Sequence, residues 1–404
     1  MKYLIGAPLL RGSNIASIAR QSVVLAALSL LIGCSSLSSG VKKYETPEDF
    51  TQEVSFDTVW STGDSSGWGK VQMNLSPNLV THNGEQRLAV PDYKGHMLVL
   101  DAESGDKIWR KSTKMDFSSA AGSAGDAILM GTSDGHVVAM SKESGDILWD
   151  TTVSSEVLAA PRGDSNALVA LSVDSRLHGL DVKTGKELWT YDATAPALTL
   201  RGAADPLIID DVAFVGFPNG QVGLFKLSNG QMIWLEAAAR PRGRNEIQRM
   251  VDIDGVMVRA DNTVYVVTYQ GNLVAIDLPR LEVIWSHPMS SYVGLTLSGN
   301  HLIVTDEDDT VYAIDRLTGE TRWKQNDLLN RYLSAPAIYQ NYVVVGDGAG
   351  YLYALSLDDG RMLGFDRIVN HDIRAPLLAD EQGVIVQSRT GTIKKVNIVP
   401  VGAS

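Results

Sequence analysis

The chain has 404 residues, 44% of them hydrophobic and 20% charged, enough to bury a large core. Its formal net charge of −12 argues against nucleic acid as a main partner. The single cysteine, Cys34, excludes any internal disulfide.

Residues 1–33 read as a targeting segment. Lys2, Arg11 and Arg20 supply positive charge, and residues 21–33 form an apolar run too short to span a bilayer. The run ends in Leu31-Ile32-Gly33-Cys34, which resembles a lipobox and implies cleavage before Cys34 and lipidation of its thiol. Ser35 rather than Asp follows the cysteine, which favours the outer membrane over retention in the inner one. The serine-rich residues 35–40 read as flexible, so residues 34–53 are expected to be a lipid-anchored tether. Residues 54–398 are then the folded domain and 399–404 a tail.

From Val54 onward a tryptophan recurs about every forty residues behind one phrase: an apolar strand, often Asp, then Gly and, four positions later, Trp. The first full copy carries Asp101, Gly105 and Trp109. Others pair Gly145 with Trp149, Gly185 with Trp189, Gly230 with Trp234 and Gly319 with Trp323. One copy has Leu281 before Trp285, and another has Gly360 but Gly364 in place of Trp. Runs of four to seven apolar residues between Gly, Asp, Asn or Ser turns predict antiparallel strands. A hairpin turn recurs eight times, at Gly95, Gly135, Ser175, Gly220, Gly271, Asp309, Gly350 and Gly391. The last unit stops without a Trp strand, and the segment ending at Trp60 is a Trp strand without a unit before it. The expected fold is all-β: an eight-bladed propeller of four-stranded antiparallel blades, closed by pairing of residues 54–60 with the strand around residues 393–396. The repeated Trp is expected to fill the wedge between blades.

The phrase Ala313-Ile314-Asp315-Arg316-Leu317-Thr318-Gly319-Glu320-Thr321-Arg322-Trp323 resembles the tryptophan-docking repeat of the pyrroloquinoline quinone propellers. Together with the lipobox and the repeat count, residues 34–398 resemble the BamB family, lipoproteins of the outer-membrane β-barrel assembly machinery. The resemblance implies a non-enzymatic scaffold without cofactor or metal, lipid-anchored to the outer membrane and facing the periplasm. It further implies docking on the POTRA domains of the central, BamA-like barrel insertase, and indirect contact with the other lipoproteins of the machinery. Leu198, Leu200 and Arg201 match the family's Leu-x-Leu-Arg-Gly segment. Asp252 and Asp254, behind Arg249, match its Arg-x-x-Asp-x-Asp segment, and both segments imply insertase contact. They lie in the longer repeats, since Trp189 to Trp234 spans 45 residues and Trp234 to Trp285 spans 51. On the residues alone, leucines facing the core and aspartates decorating a turn fit equally well.

Arg240, Arg242 and Arg244 make a basic loop that reads as a solvated insertion. Leu328, Leu329, Arg331 and Tyr332 read either as an extension of the interface or as core packing. Residues 306–309 are acidic but lack the register of a calcium loop, and read as surface charge. The alternative to a scaffold of the assembly machinery is a quinoprotein-type dehydrogenase, because the repeat is shared. Those enzymes resemble this chain in fold but hold their quinone with calcium and a disulfide between adjacent cysteines, which one cysteine cannot make. No His pair at metal-ligand spacing, phosphate loop or nucleophile elbow is present, so no catalytic residue is expected. A periplasmic scaffold for another envelope complex is the third reading.

Overall fold

Thirty-two strands follow one another without an intervening helix in the computed structural model, which describes residues 50–69 and 75–402. Cys34 and the expected signal peptide lie outside the described residues. The all-β propeller expected from the repeat is present: each repeat gives a meander of four strands whose middle two are the most apolar. Ala127–Gly131 is buried at all five positions, because sheets on either side cover both of its faces. The outermost strand Ile147–Thr152 exposes Ile147 and Leu148.

The count of blades requires a correction. Six sheets hold four strands each, whereas the other eight strands form one continuous eight-stranded sheet. Its halves are joined through the short innermost strands Gly122–Ala124 and Arg162–Gly163, which pair in parallel with Arg162 opposite Ser123. The arrangement is therefore neither eight separate blades nor wholly antiparallel. The physical reason is the smallness of the inner residues. A Cβ on Gly122 would lie 1.9 Å from the Pro161 carbonyl oxygen, and Ser118 Oγ donates to the Val157 carbonyl at 2.8 Å. With no side chain to hold them apart, the two backbones approach until they share a hydrogen-bonded edge.

The two ends of the described domain meet in one sheet. Val54–Thr62 pairs antiparallel with Ile393–Pro400, from Val54 opposite Pro400 to Thr62 opposite Ile393, with a bulge between Thr58 and Trp60. Trp60 packs with Ile385 and Ile393 of its own sheet and with Leu88, Leu98 and Leu100 of the next. Lys395, fully buried, reinforces the same junction: its Nζ donates to Asp380 Oδ2 at 2.7 Å and to the Ala102 carbonyl of the neighbouring sheet at 3.1 Å. A buried ammonium is tolerated only when its donors are satisfied in this way.

The Gly and Trp of the phrase act on each other across repeats. Gly145 receives the ring of Trp109, Gly185 that of Trp149, Gly319 that of Trp285 and Gly360 that of Trp323. The indole N–H then donates to a carbonyl of the receiving repeat, as from Trp149 to Val182 at 2.7 Å and from Trp323 to Leu357 at 2.9 Å. The receiving glycine needs both its left-handed backbone, φ 75° at Gly319, and its missing Cβ, which would sit 2.8 Å from the Trp285 ring. Both departures from the phrase follow. Leu281 stands where Trp234 would dock, and there the indole makes no hydrogen bond among the described residues; Leu281 packs beside the ring instead. Gly364 replaces a Trp because the entering chain passes over it, with Glu53 N donating to the Leu363 carbonyl at 2.8 Å and the Val54 carbonyl where a Cβ would lie.

Candidate functional site

Connections from the outermost strand of one repeat to the innermost of the next emerge on one face, together with the turns between the two middle strands. The segment 198–201 lies in the connection from Glu187–Asp192 to Leu207–Ile209. Asp252 and Asp254 lie in that from Met232–Ala237 to Val258–Ala260. Far apart in sequence, the two segments are stitched together: Leu200 N donates to Asp252 Oδ2 at 3.2 Å, and Ala204 N to the Ile253 carbonyl at 2.9 Å. A bridge between Asp252 and Tyr269 fixes the second segment to the following hairpin, with Tyr269 N donating to the Asp252 carbonyl at 2.8 Å. Gly202 permits the approach, because a Cβ there would come within 2.7 Å of the Asp254 carboxyl.

The expected site residues take different places in this junction. Leu198 is 45% exposed, so it is not a core leucine. Leu200 is half-buried over a small crevice lined by Leu158, Leu171, Val173, Pro218 and Ile253. Arg201 is exposed, yet its guanidinium forks onto Glu156, at 3.2 Å to Oε2 and 2.7 Å to Oε1. Asp252 is buried, with Oδ1 accepting from Ile253 N at 2.9 Å. Asp254 is half-buried as a residue, but its Oδ1 is enclosed and has no hydrogen-bond partner. The aspartates are thus the floor of the patch, not a charged rim, and Glu156 is a member that only the tertiary contact reveals.

Two carboxylates close together out of water cannot both ionise at low cost. Burial pushes the Asp252 carboxyl up to about 7, even though the N–H groups of Ile253 and Leu200 oppose the shift. Burial, and then the neighbouring Asp252 charge, drives Asp254 well above the carboxylate range. Neither aspartate forms a salt bridge among the described residues.

The other candidates resolve by burial. Leu328 and Arg331 are core: Arg331 donates to the Tyr353 hydroxyl at 2.7 Å, beside Asp347. Leu329 and Tyr332 face solvent. Within the acidic run, Asp309 is buried and accepts the N–H groups of Tyr332 and Leu333 at 2.8 Å, so it is a loop clamp, not surface charge. No group of three or more His, Cys, Asp or Glu among the described residues is placed to hold a metal.

A family model described as outer membrane protein assembly factor BamB matches residues 93–325. A protein of that name from Pseudomonas aeruginosa is 43% identical over 355 residues, covering 88% of this chain and 92% of the relative. Its counterpart from Escherichia coli K12 is 32% identical over 384 residues, 92% of this chain and 97% of the relative. Among solved structures, BamB from Moraxella catarrhalis superposes with a TM-score of 0.75 at 22% identity, covering 85% of this chain and all of that one. A europium-containing methanol dehydrogenase reaches 0.65 at 12% identity, covering 82% of this chain and 84% of the enzyme. Identities this low show a shared fold alone.

Proposed function

This chain belongs to the BamB family of outer membrane protein assembly factors, and we propose that it serves that assembly as a non-enzymatic scaffold. Leu198, Leu200, Arg201, Asp252 and Asp254 form its docking patch for a POTRA domain of the barrel insertase. The observation that supports this reading is the joining of two segments from separate connections into one patch, held by the Leu200–Asp252 hydrogen bond and opened by Gly202. The exposed Leu198, the crevice under Leu200 and the forked Arg201 supply apolar contact beside a planar donor, the composition that concentrates interface energy. Leu198→Asp should weaken binding to the isolated POTRA domains by about 2 kcal/mol, roughly thirtyfold, in titration calorimetry. Its melting temperature should stay that of the parent, because Leu198 is not core. Undiminished binding would move the interface elsewhere.

In this reading residues 1–33 are a signal peptide and Cys34 carries the lipid that holds the protein on the outer membrane, with residues 34–53 as tether and 54–398 as the domain it presents. Acyl chains contribute about 0.8 kcal/mol per buried methylene, so several chains together resist salt extraction. Cys34→Ser should release the protein into the soluble periplasmic fraction of cells depleted of the insertase. Retention of the variant in the membrane pellet would refute the anchor.

A further inference from the structure

We propose that the loop of residues 240–249 is a second docking site, which takes an extended, acidic segment of a partner protein. The observation is a contrast in how this chain treats its arginines. Everywhere else among the described residues, an arginine either has a carboxylate within 4.0 Å or donates to a backbone carbonyl. Arg240, Arg242, Arg244 and Arg249 have neither, and all four lie in this loop, where every residue from 240 to 249 is exposed. In a chain of net charge −12, four guanidinium groups without an ion pair in one loop, against the single carboxylate Glu246 within it, constitute a local positive field.

The loop is held mainly by its own hydrogen bonds, with one long contact from Gln270 Nε2 to the Ile247 carbonyl at 3.5 Å, and none of these uses the arginine side chains. Arg244 N donates to Gln248 Oε1 at 3.0 Å, Gln248 N to Asn245 Oδ1 at 2.9 Å, and Arg249 N to the Asn245 carbonyl at 3.1 Å. Arg240 and Arg242 form the lip of an open cleft whose wall includes Gln270, Asn272 and Ser286. The Gln270 and Asn272 amides reach carbonyls of this chain only at 3.5 Å, so these groups and the Ser286 hydroxyl can pair with the backbone of an extended chain. Glu236 and Glu282 also line the cleft and would repel carboxylates, which directs acidic side chains to the arginine lip. Ile247, 64% exposed on the same loop, adds one apolar contact. Guanidinium forks match carboxylates in pairs, and several such pairs act together on one flexible segment.

Anionic lipid offers the same charge, but the amide and hydroxyl wall of the cleft beside the arginine lip favours a peptide backbone, and so a protein. Outermost strands run the same way in every repeat. The described chain enters at the start of one of them, with Phe50 against Phe365 and Glu53 paired with Arg361. The arginine loop follows the end of another, Met232–Ala237, on the opposite face. The inference uses none of the POTRA patch's five residues, and its test leaves Arg249, which begins the segment that carries Asp252 and Asp254, unchanged.

The test is a fluorescence anisotropy titration of a labelled Asp/Glu decapeptide with the intact chain and with the R240E/R242E/R244E variant. The wild type should bind the peptide, more weakly as ionic strength rises. The triple variant should lose at least about tenfold in affinity with an unchanged melting temperature, while the R240K/R242K/R244K variant keeps most of the binding. Equal binding by the wild type and the charge-reversed variant would overturn the proposal. So would a wild type that ignores the peptide and sediments with phosphatidylglycerol vesicles, or one whose loop serves only to pair two copies of the chain.

Discussion

A chain that begins at Gly63 is expected to lose its stable monomeric fold. The missing strand Val54–Thr62 contributes Val54, Phe56 and Trp60 to two separate apolar clusters, one between the closing sheet and the sheet before it and one between the closing sheet and the next. Removing a buried Phe or Trp side chain costs about 3–5 kcal/mol, so the two aromatics alone approach the roughly 5–15 kcal/mol by which a domain exceeds its unfolded state. The deletion also strips Ile393–Pro400 of its pairing on one side and turns this strand, which carries Lys394 and Lys395, into an open edge. Heating with circular dichroism detection should show a melting transition that is lower and less cooperative, and size exclusion should show self-association through the new edge. Adding a synthetic peptide of residues 50–62 should restore part of both properties, because strand addition can replace the missing pairing in trans. A truncated chain that melts at the parent temperature and stays monomeric would show that the ring does not depend on its closing strand.

The strand–turn rhythm and the closing pair were legible because Gly and Trp recur at fixed spacing and serve a single purpose, a ring and the place that receives it. The joining of two repeats into an eight-stranded sheet was not legible. It depends on Gly122, Ser118 and their neighbours letting two inner backbones touch, and small residues leave no periodic trace. The same limit applies to the proposed docking patch. Family resemblance pointed to Leu198, Arg201 and Asp252, but Asp252 looked like a solvated turn residue until Leu200 and Ile253 were seen donating to it from a buried junction. Glu156 is invisible from sequence because its partner Arg201 is 45 residues away and in a different connection. The arginine loop is the reverse case. Its composition is plain, but its meaning depends on knowing that the arginines elsewhere are already engaged.

Asp254→Asn is expected to stabilise the fold at pH 8 while weakening the docking patch. A carboxyl held at about 7 in the native state, against about 4 when unfolded, binds its proton more tightly in the folded chain. Stability from Asp252 is therefore fully present below pH 4 and is lost as pH rises through 7, a swing of about 4 kcal/mol at 1.36 kcal/mol per unit. Asp101 and Asp315 act in another window. The Ser104 N–H holds the first, and the Arg322 side chain the second, below the ordinary range, so their contribution disappears only in more acidic solution. Between pH 5 and 8 the buried pair should dominate, and the parent should melt at higher temperature at pH 5 than at pH 8. Replacing Asp254 by the neutral amide removes the carboxyl whose ionisation burial and the Asp252 charge both oppose, so its share of the loss at high pH disappears, while the Asp252 carboxyl, raised by burial, keeps its own. The variant should gain about 1–2 kcal/mol at pH 8 and show a flatter pH dependence in denaturant titrations, while binding POTRA domains less tightly. Retaining a destabilising pair makes physical sense only where the charge is used, as strained features are at sites of function. A variant with the parent's pH profile would remove the electrostatic account of the pair, and one that gains stability with undiminished binding would separate the pair from docking.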